Sequence, residues 1–384
     1  MFVKKDLRKI PQILSDATSR AASAPPSTAD ETLKGQGIIT ELSFTRRAPE
    51  FLPACTVSLI LQPQFRPAFD HLIRLSLYDC GLKSLAGIEL SHCDDDSDAS
   101  ASGGDTAMDQ EKPGAPLFPK LQQFDIGRNP QLTNDSLPST FHTQFPSLQE
   151  LWCDDCAFGP TLPMAFLQIH QLHVVRMTKN KMEGPLEEKI GLDYWKELRV
   201  LALDGNKLTQ VGEGIGRLTY LEKLHLRQNE LTSLPEGVPG RGNVNLTMVS
   251  LSSNKLSSFP ASLVDVGSSL KEVYLNGNEI QDFPMGLGKK LMGIKKLNLA
   301  HNSIGGSDDH HLGEDGMVLP RDFVERFGRP DPVAGVCEKD GEFIVRFEGN
   351  PFTEAMKKKW QEEQKKKEDE ERKAREMEMD VDEQ

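Results

Sequence analysis

Apolar positions along this chain follow neither a simple helical spacing nor a plain alternation. They recur in a longer frame, seen at Leu221-x-x-Leu224-x-Leu226-x-x-Asn229-x-Leu231. The frame returns at Leu198-x-x-Leu201-x-Leu203-x-x-Asn206-x-Leu208 and at Leu246-x-x-Val249-x-Leu251-x-x-Asn254-x-Leu256. It returns again at Leu270-x-x-Val273-x-Leu275-x-x-Asn278-x-Ile280 and at Ile294-x-x-Leu297-x-Leu299-x-x-Asn302-x-Ile304. Earlier copies begin at Leu72, Leu121, Leu148 and Leu172, and an outlying one reads Ile39-x-x-Leu42-x-Phe44. From Leu121 on, successive copies start 27, 24, 26, 23, 25, 24 and 24 residues apart. A unit this short cannot bury its own apolar face, so a run of them stacks into a solenoid.

Within one unit, alternation at positions 4 and 6 sends two side chains inward from a short strand. The asparagine at position 9 suits the point where the chain leaves the strand, because its amide both donates to and accepts from backbone groups. Leu234-Pro235, Phe259-Pro260 and Phe283-Pro284 then open the return segment, where proline forbids further strand pairing. The spacing predicts a solenoid over residues 39–352, preceded by an N-terminal cap and flexible link over 1–38. Two intervals are double length and predict insertions, at about 92–116 and about 305–340. The first is acidic (Asp94, Asp95, Asp96, Asp98) and too poor in apolar residues to fold; Ser97 within it is a candidate phosphosite. Residues 353–384 form a charged helical tail with i,i+4 pairs such as Glu362/Lys366 and Glu368/Arg372 but no a/d seam, so no coiled coil is expected. Phe352, Met356 and Trp360 share one face of it and suit a lid on the end of the stack, while residues 376–384 are expected to fray.

The quoted frames resemble leucine-rich repeats. Leu231-Thr232-Ser233-Leu234-Pro235-Glu236-Gly237-Val238 resembles the LxxLPxxI half of cytosolic repeats of the Ras-group type, which includes Ras-pathway scaffolds and plant intracellular members. The resemblance spans roughly residues 39–352. It implies an α/β fold, a right-handed horseshoe with parallel strands on the concave face, and use of that face for binding proteins. It assigns no activity, because a fold does not dictate one.

The formal net charge of −13 argues against nucleic acid as partner, since that needs a basic footprint. No apolar run approaches the length of a membrane span. The segment Met1–Leu7 lacks the apolar stretch of a secretory signal, and the six cysteines are scattered. A cytoplasmic chain with reduced thiols is expected, with the nucleus as a second possibility, and a monomer.

Four motifs invite chemistry. Cys153-x-x-Cys156 has the spacing of half a zinc site, yet the frame itself accounts for both residues, at positions 6 and 9, as small buried hydrophobes. Asp308-Asp309-His310-His311-x-x-Glu314 matches no defined metal-ligand set. Gly212-x-Gly214-x-Gly216 and Gly286-x-Gly288 lack the full spacing of phosphate-cradling loops. No cofactor, metal or catalytic residue is assigned, and an enzyme is not expected.

The functional signal lies in the positions that the frame leaves free. Positions 3, 5 and 7 flank the inward residues and are expected to face solvent on the concave side. They supply Tyr78, Trp152, Asp154, Arg176, His225, Arg227, Tyr274 and Asn276, rich in the residue types that dominate protein interfaces. The expected function is a non-enzymatic intracellular adaptor or scaffold, with signalling as one setting. The alternative is an acidic nuclear repeat protein that chaperones basic proteins or regulates a phosphatase. On the frame's placement of Leu226 in the core, Leu226→Ala lowers stability by about 2–5 kcal/mol; an unshifted denaturation midpoint would remove Leu226 from the core.

Overall fold

The structure, a computed structural model, describes residues 40–43, 69–85, 116–186, 190, 193–281, 286–305, 319–339 and 342–382. The expected N-terminal cap, the acidic insertion with Ser97, the His310/His311 cluster and Phe283-Pro284 lie outside the described residues. The chain divides into two compact units, residues 1–206 and 207–384.

In the first unit, three-residue strands β1 (Glu41–Ser43), β2 (Arg74–Ser76), β3 (Gln123–Asp125), β4 (Glu150–Trp152), β5 (Val174–Arg176) and β7 (Val200–Ala202) pair in parallel. A short strand β6 (Glu183–Pro185) lies outside this row. Position 4 of each repeat aligns with position 4 of the next: Leu42, Leu75, Phe124, Leu151, Val175 and Leu201. All six are buried, because a one-residue slip would turn each to solvent. Behind the strands, a phenylalanine spine fills the core. Phe118 stacks on Phe145 at 5.5 Å, Phe145 contacts Phe124 and Phe141, and Phe166 on α1 (Met164–Leu167) bridges Phe141 and Phe158.

The second unit opens with β8 (Lys207–Gln210) and repeats the scheme. Strands β9 (Lys223–His225), β10 (Met248–Ser250), β11 (Glu272–Tyr274) and β12 (Lys296–Asn298) are parallel, with Leu224, Val249, Val273 and Leu297 in register. After α2 (Leu287–Lys290), the second insertion is more than a loop: it contributes α3 (Arg321–Phe327) and β13 (Val336–Lys339). Its physical reason is aromatic. Phe323 and Phe327 are fully buried and meet Phe347 and Phe343 edge to face, so this stretch has enough apolar surface to order itself. Strand β14 (Phe343–Arg346) pairs in parallel with β12, Leu297 opposite Val345, and antiparallel with β13. The terminal frame at Val345 is therefore a true repeat.

The position-9 asparagines carry the stacking. Asn254 donates through Nδ2 to the Leu251 carbonyl of its own repeat (2.9 Å) and to the Leu226 carbonyl of the preceding one (2.9 Å). Its Oδ1 accepts from the Leu231 N–H (3.1 Å). Asn278, Asn302 and Asn350 repeat the same three bonds, as do Asn129 and Asn206 in the first unit. Where Cys156 replaces asparagine, its thiol donates to the Ile126 carbonyl at 3.3 Å. That carbonyl stands at position 6 of the preceding repeat, the group an asparagine would bond, so the substitution keeps one of the three bonds.

Just before each position 9, whether asparagine or cysteine, position 8 sits in the left-handed region: Asp79, Arg128, Asp155, Lys179 and Gly205 in the first unit, Gln228, Ser253, Gly277, His301 and Gly349 in the second, with φ between 54° and 74°. This kink ends the strand and swings position 9 inward. A side chain there costs about 1–2 kcal/mol, and its occurrence at most of these positions shows that the ladder outweighs the strain.

The tail is one helix, α4 (Pro351–Asp382). It continues past the point where fraying is expected. Phe352 is buried and meets Phe347 edge to face at 5.4 Å, but Trp360 is 38% exposed, so the lid closes only through the first turn. Because a buried carbonyl or N–H without a partner costs about 1–3 kcal/mol, Asn254→Ala should lower stability by at least about 2 kcal/mol. Asn254→Cys should be milder by about 1 kcal/mol, as at Cys156; chemical denaturation of both variants checks the order, and equal losses would deny the thiol its role.

Candidate functional site

The strands carry positions 3 to 5 of each repeat, and position 7 follows just beyond. Side chains at these positions stand on the face opposite the core. In the first unit they hold Glu41, Asp125, Glu150, Asp154 and Asp204 against Arg74 and Arg176, an acidic balance. In the second they hold Lys223, Arg227, Lys296 and Arg346 against Glu272 and Glu348, a basic one. Not every such position is open. Gly127, Ala202, Ser250, Ser252 and Ala300 are buried, correcting the expectation that positions 3, 5 and 7 all face solvent. Small side chains there lie below the level of their larger neighbours.

In the first unit, four of the residues singled out from the sequence converge on a fifth that was not. Asp125 accepts from the Ser76 hydroxyl (3.0 Å) and from the Gly127 N–H (3.0 Å). A Cβ on Gly127 would stand 3.2 Å from the Tyr78 ring and 3.2 Å from Asp125 Oδ1, so the ring and the carboxylate flank the same bare stretch of backbone. On the next strands, Arg176 forms an ion pair with Asp154 at 2.8 Å and lies over the Trp152 ring at 5.3 Å. Asp154 also accepts from the Thr178 N–H at 2.8 Å, which fixes the carboxylate and through it the guanidinium. The Trp152 indole N–H is buried and has no acceptor among the described residues. Ser76, Gln123, Asp125 and Trp152 line a shallow groove of about 360 Å³ that also touches Glu41 and Arg74. Burial pushes the Asp125 carboxyl above its ordinary range; the hydrogen bonds from Gly127 and Ser76 offset this in part, Asp154 adds to it and Arg176 opposes it. The site thus holds a carboxylate that its own fold under-compensates. The sequence lists Asp125 at position 5, but nothing in one repeat shows how deeply it sits.

The other four residues gather in the second unit. His225, Arg227, Tyr274 and Asn276 surround Ser250 and Ser252 about a depression of about 380 Å³. Tyr274 donates to Glu272 (2.9 Å), whose other oxygen accepts from Lys296 (3.0 Å). Burial works to raise the Glu272 carboxyl, but the bonds from Lys296 and Tyr274 outweigh it and hold it below the ordinary range. Tyr274 is shifted upward by burial and by Glu272. The phenol is therefore pinned in place.

Cys153 and Cys156 are core residues, 0% and 5% exposed. Burial raises the Cys153 thiol well above its usual value and pushes Cys80, Cys156 and Cys337 up to about 12. All four are free thiols whose thiolates are suppressed at neutral pH. Gly212, Gly214 and Gly216 belong to a short 3-10 turn, and a Cβ on Gly288 would strike the backbone of α3 at Asp322. Gly216, whose Cβ would stand 3.0 Å from the Gly237 carbonyl, and Gly288 serve close packing.

Comparison with known proteins agrees with this geometry. The family model "Leucine rich repeat" matches residues 196–256. Rabbit (Oryctolagus cuniculus) lumican is 31% identical over 142 residues, covering 36% of this chain and 67% of that sequence. Mouse (Mus musculus) lumican is 30% identical over 142 residues, of which this chain spans 38% of the length. The solved structure of a repeat protein of this kind from Leptospira interrogans superposes with a TM-score of 0.58 at 20% identity, over 91% of this chain and 77% of that one. That likeness establishes the fold.

The raised Asp125 carboxyl has a consequence for stability. A folded-state pKa above the unfolded one contributes stability below the unfolded pKa, near 3.8, that is lost as pH rises through the folded value. Asp125→Asn should therefore raise the denaturation midpoint at pH 7 and leave it near wild type at pH 3. Equal shifts at both pH values would show that burial of this charge is not the cause.

Proposed function

This chain belongs to the leucine-rich repeat proteins, and from that premise we propose that it is a non-enzymatic intracellular adaptor that grips a protein partner on its strand faces. The observation that carries the reading is the Tyr78–Asp125–Trp152–Asp154–Arg176 cluster. Arg176 is held by Asp154 of the preceding repeat and lies over Trp152, so little rotamer entropy of this pair is lost when a partner arrives. Trp, Tyr and Arg in such pre-set positions are the usual energetic anchors of interfaces. A carboxylate that burial penalises and an indole N–H without an acceptor are groups whose needs a partner's donors and carbonyls meet. Four buried free thiols fit a reducing compartment, which supports a cytoplasmic or nuclear setting. Leu231 and Val238 are buried and Leu234 half-buried, as the LxxLPxxI spacing of Ras-group repeats requires; this supports placing the chain with that type, and signalling as its setting.

The test is affinity capture from native extract with wild type and with Trp152→Ala/Arg176→Ala. The double variant should lose its principal partner, with affinity reduced about 30-fold or more and an unchanged unfolding midpoint. Equal capture by both proteins would remove this face from the interface.

A further inference from the structure

The groove in the first unit runs across β1, β2 and β3 and ends at Trp152 on β4. At position 5 these three strands carry Ser43, Ser76 and Asp125, aligned in register. Two small side chains thus lead to one carboxylate, and the indole closes the row as a wall. Leu42 and Leu75 also line the groove, which gives it apolar as well as polar surface. Its volume of about 360 Å³ has room for one long side chain with part of its backbone.

The charged lining consists of Glu41, Arg74 and Asp125. Arg74 pairs with Glu41 at 3.3 Å, so those two offset each other. Asp125 is held differently. Both of its bonds come from neutral donors, the Ser76 hydroxyl on Oδ2 and the Gly127 N–H on Oδ1. A carboxylate accepts about four bonds, so each oxygen keeps capacity for a second. Among the described residues no ion pair reaches Asp125. Arg176 acts on it only from a distance, because it stands on β5 outside the groove lining and is paired with Asp154. Burial therefore penalises this carboxylate more than its neutral donors offset, and a cation seated beside it would relieve the difference. The acidic balance of the surrounding strand face draws a cation in and disfavours an anion.

We propose that this groove receives a lysine or arginine side chain from an extended segment of the partner protein, its cationic end on Asp125 and its aliphatic stem laid over Ser43 and Ser76. The inference rests on the adaptor reading above and adds what the first face selects. A long basic side chain buries its stem on apolar surface while its charged head stays on a polar group, so an apolar-lined groove with one carboxylate at its inner end suits that residue type. Charge complementarity supplies specificity and register more than bulk affinity.

The experiment is selection of a phage-displayed random dodecapeptide library on the full chain, with counter-selection on Asp125→Asn, followed by anisotropy titration of the enriched peptides. Those peptides should share a Lys or Arg whose change to Gln weakens binding tenfold or more. Asp125→Asn should weaken binding by the same order at pH 7 with no fall in the unfolding midpoint, since it removes a penalised charge. Ser43→Phe, which fills the groove from β1 and leaves the carboxylate in place, should weaken it equally. Three outcomes would overturn the proposal. One is that nothing survives counter-selection. Another is that the surviving peptides are neutral or acidic, or tolerate Gln in place of the shared basic residue. The last is binding unchanged by Ser43→Phe at an intact midpoint, which would move the contact out of the groove. None of these touches the adaptor reading, which falls separately if Trp152→Ala/Arg176→Ala captures its partner from extract as wild type does.

Discussion

The structure depends on one side-chain amide used over and over. The strands in the parallel rows are three residues long, or four at β14, too short to stand on their own ladder bonds. What ties one repeat to the next beyond those bonds is the asparagine at position 9, which satisfies two carbonyls and one N–H that the turn would otherwise leave buried without partners. The left-handed residue before it is the geometric condition for that bonding. A position-8 side chain is strained in most repeats, and the strain persists because releasing it would free three backbone groups at once.

The same device shapes the functional surface. The side chains at positions 5 and 7 set the height of the strand face. Where both are small, as at Ser250 and Ser252, the face sinks into a notch; where they are Trp152 and Asp154, it rises. Stacking in register then places side chains of adjacent repeats about one strand spacing apart, which is how Arg176 reaches Asp154 and Ser76 reaches Asp125. The binding chemistry is thus made between repeats rather than within them.

The opposite charge balances of the two strand faces bear on specificity. An acidic face with a half-buried aspartate and a basic face do not suit the same ligand group, so under the proposed function each would select different features of a partner. This refines the picture suggested by the net charge of −13, much of which lies in the acidic insertion and the tail and says little about the faces themselves.

The repeat frame, the strand register, the inward leucines and the terminal unit at Val345 were all legible in the sequence, because burial of an apolar side chain at a fixed spacing is a local decision repeated many times. So was the list of free positions. What the sequence by itself determined is the periodic core. Only the tertiary structure decided that Asp125 is the centre of one cluster, that Ser250 and Ser252 form the floor of a notch, that Cys156 stands in for an asparagine bond, and that four phenylalanines order an insertion that otherwise reads as loop. The physical reason is common to all four: each is an interaction between residues tens of positions apart, whose strength is set by depth and neighbours, and neither depth nor neighbours is written in a single repeat.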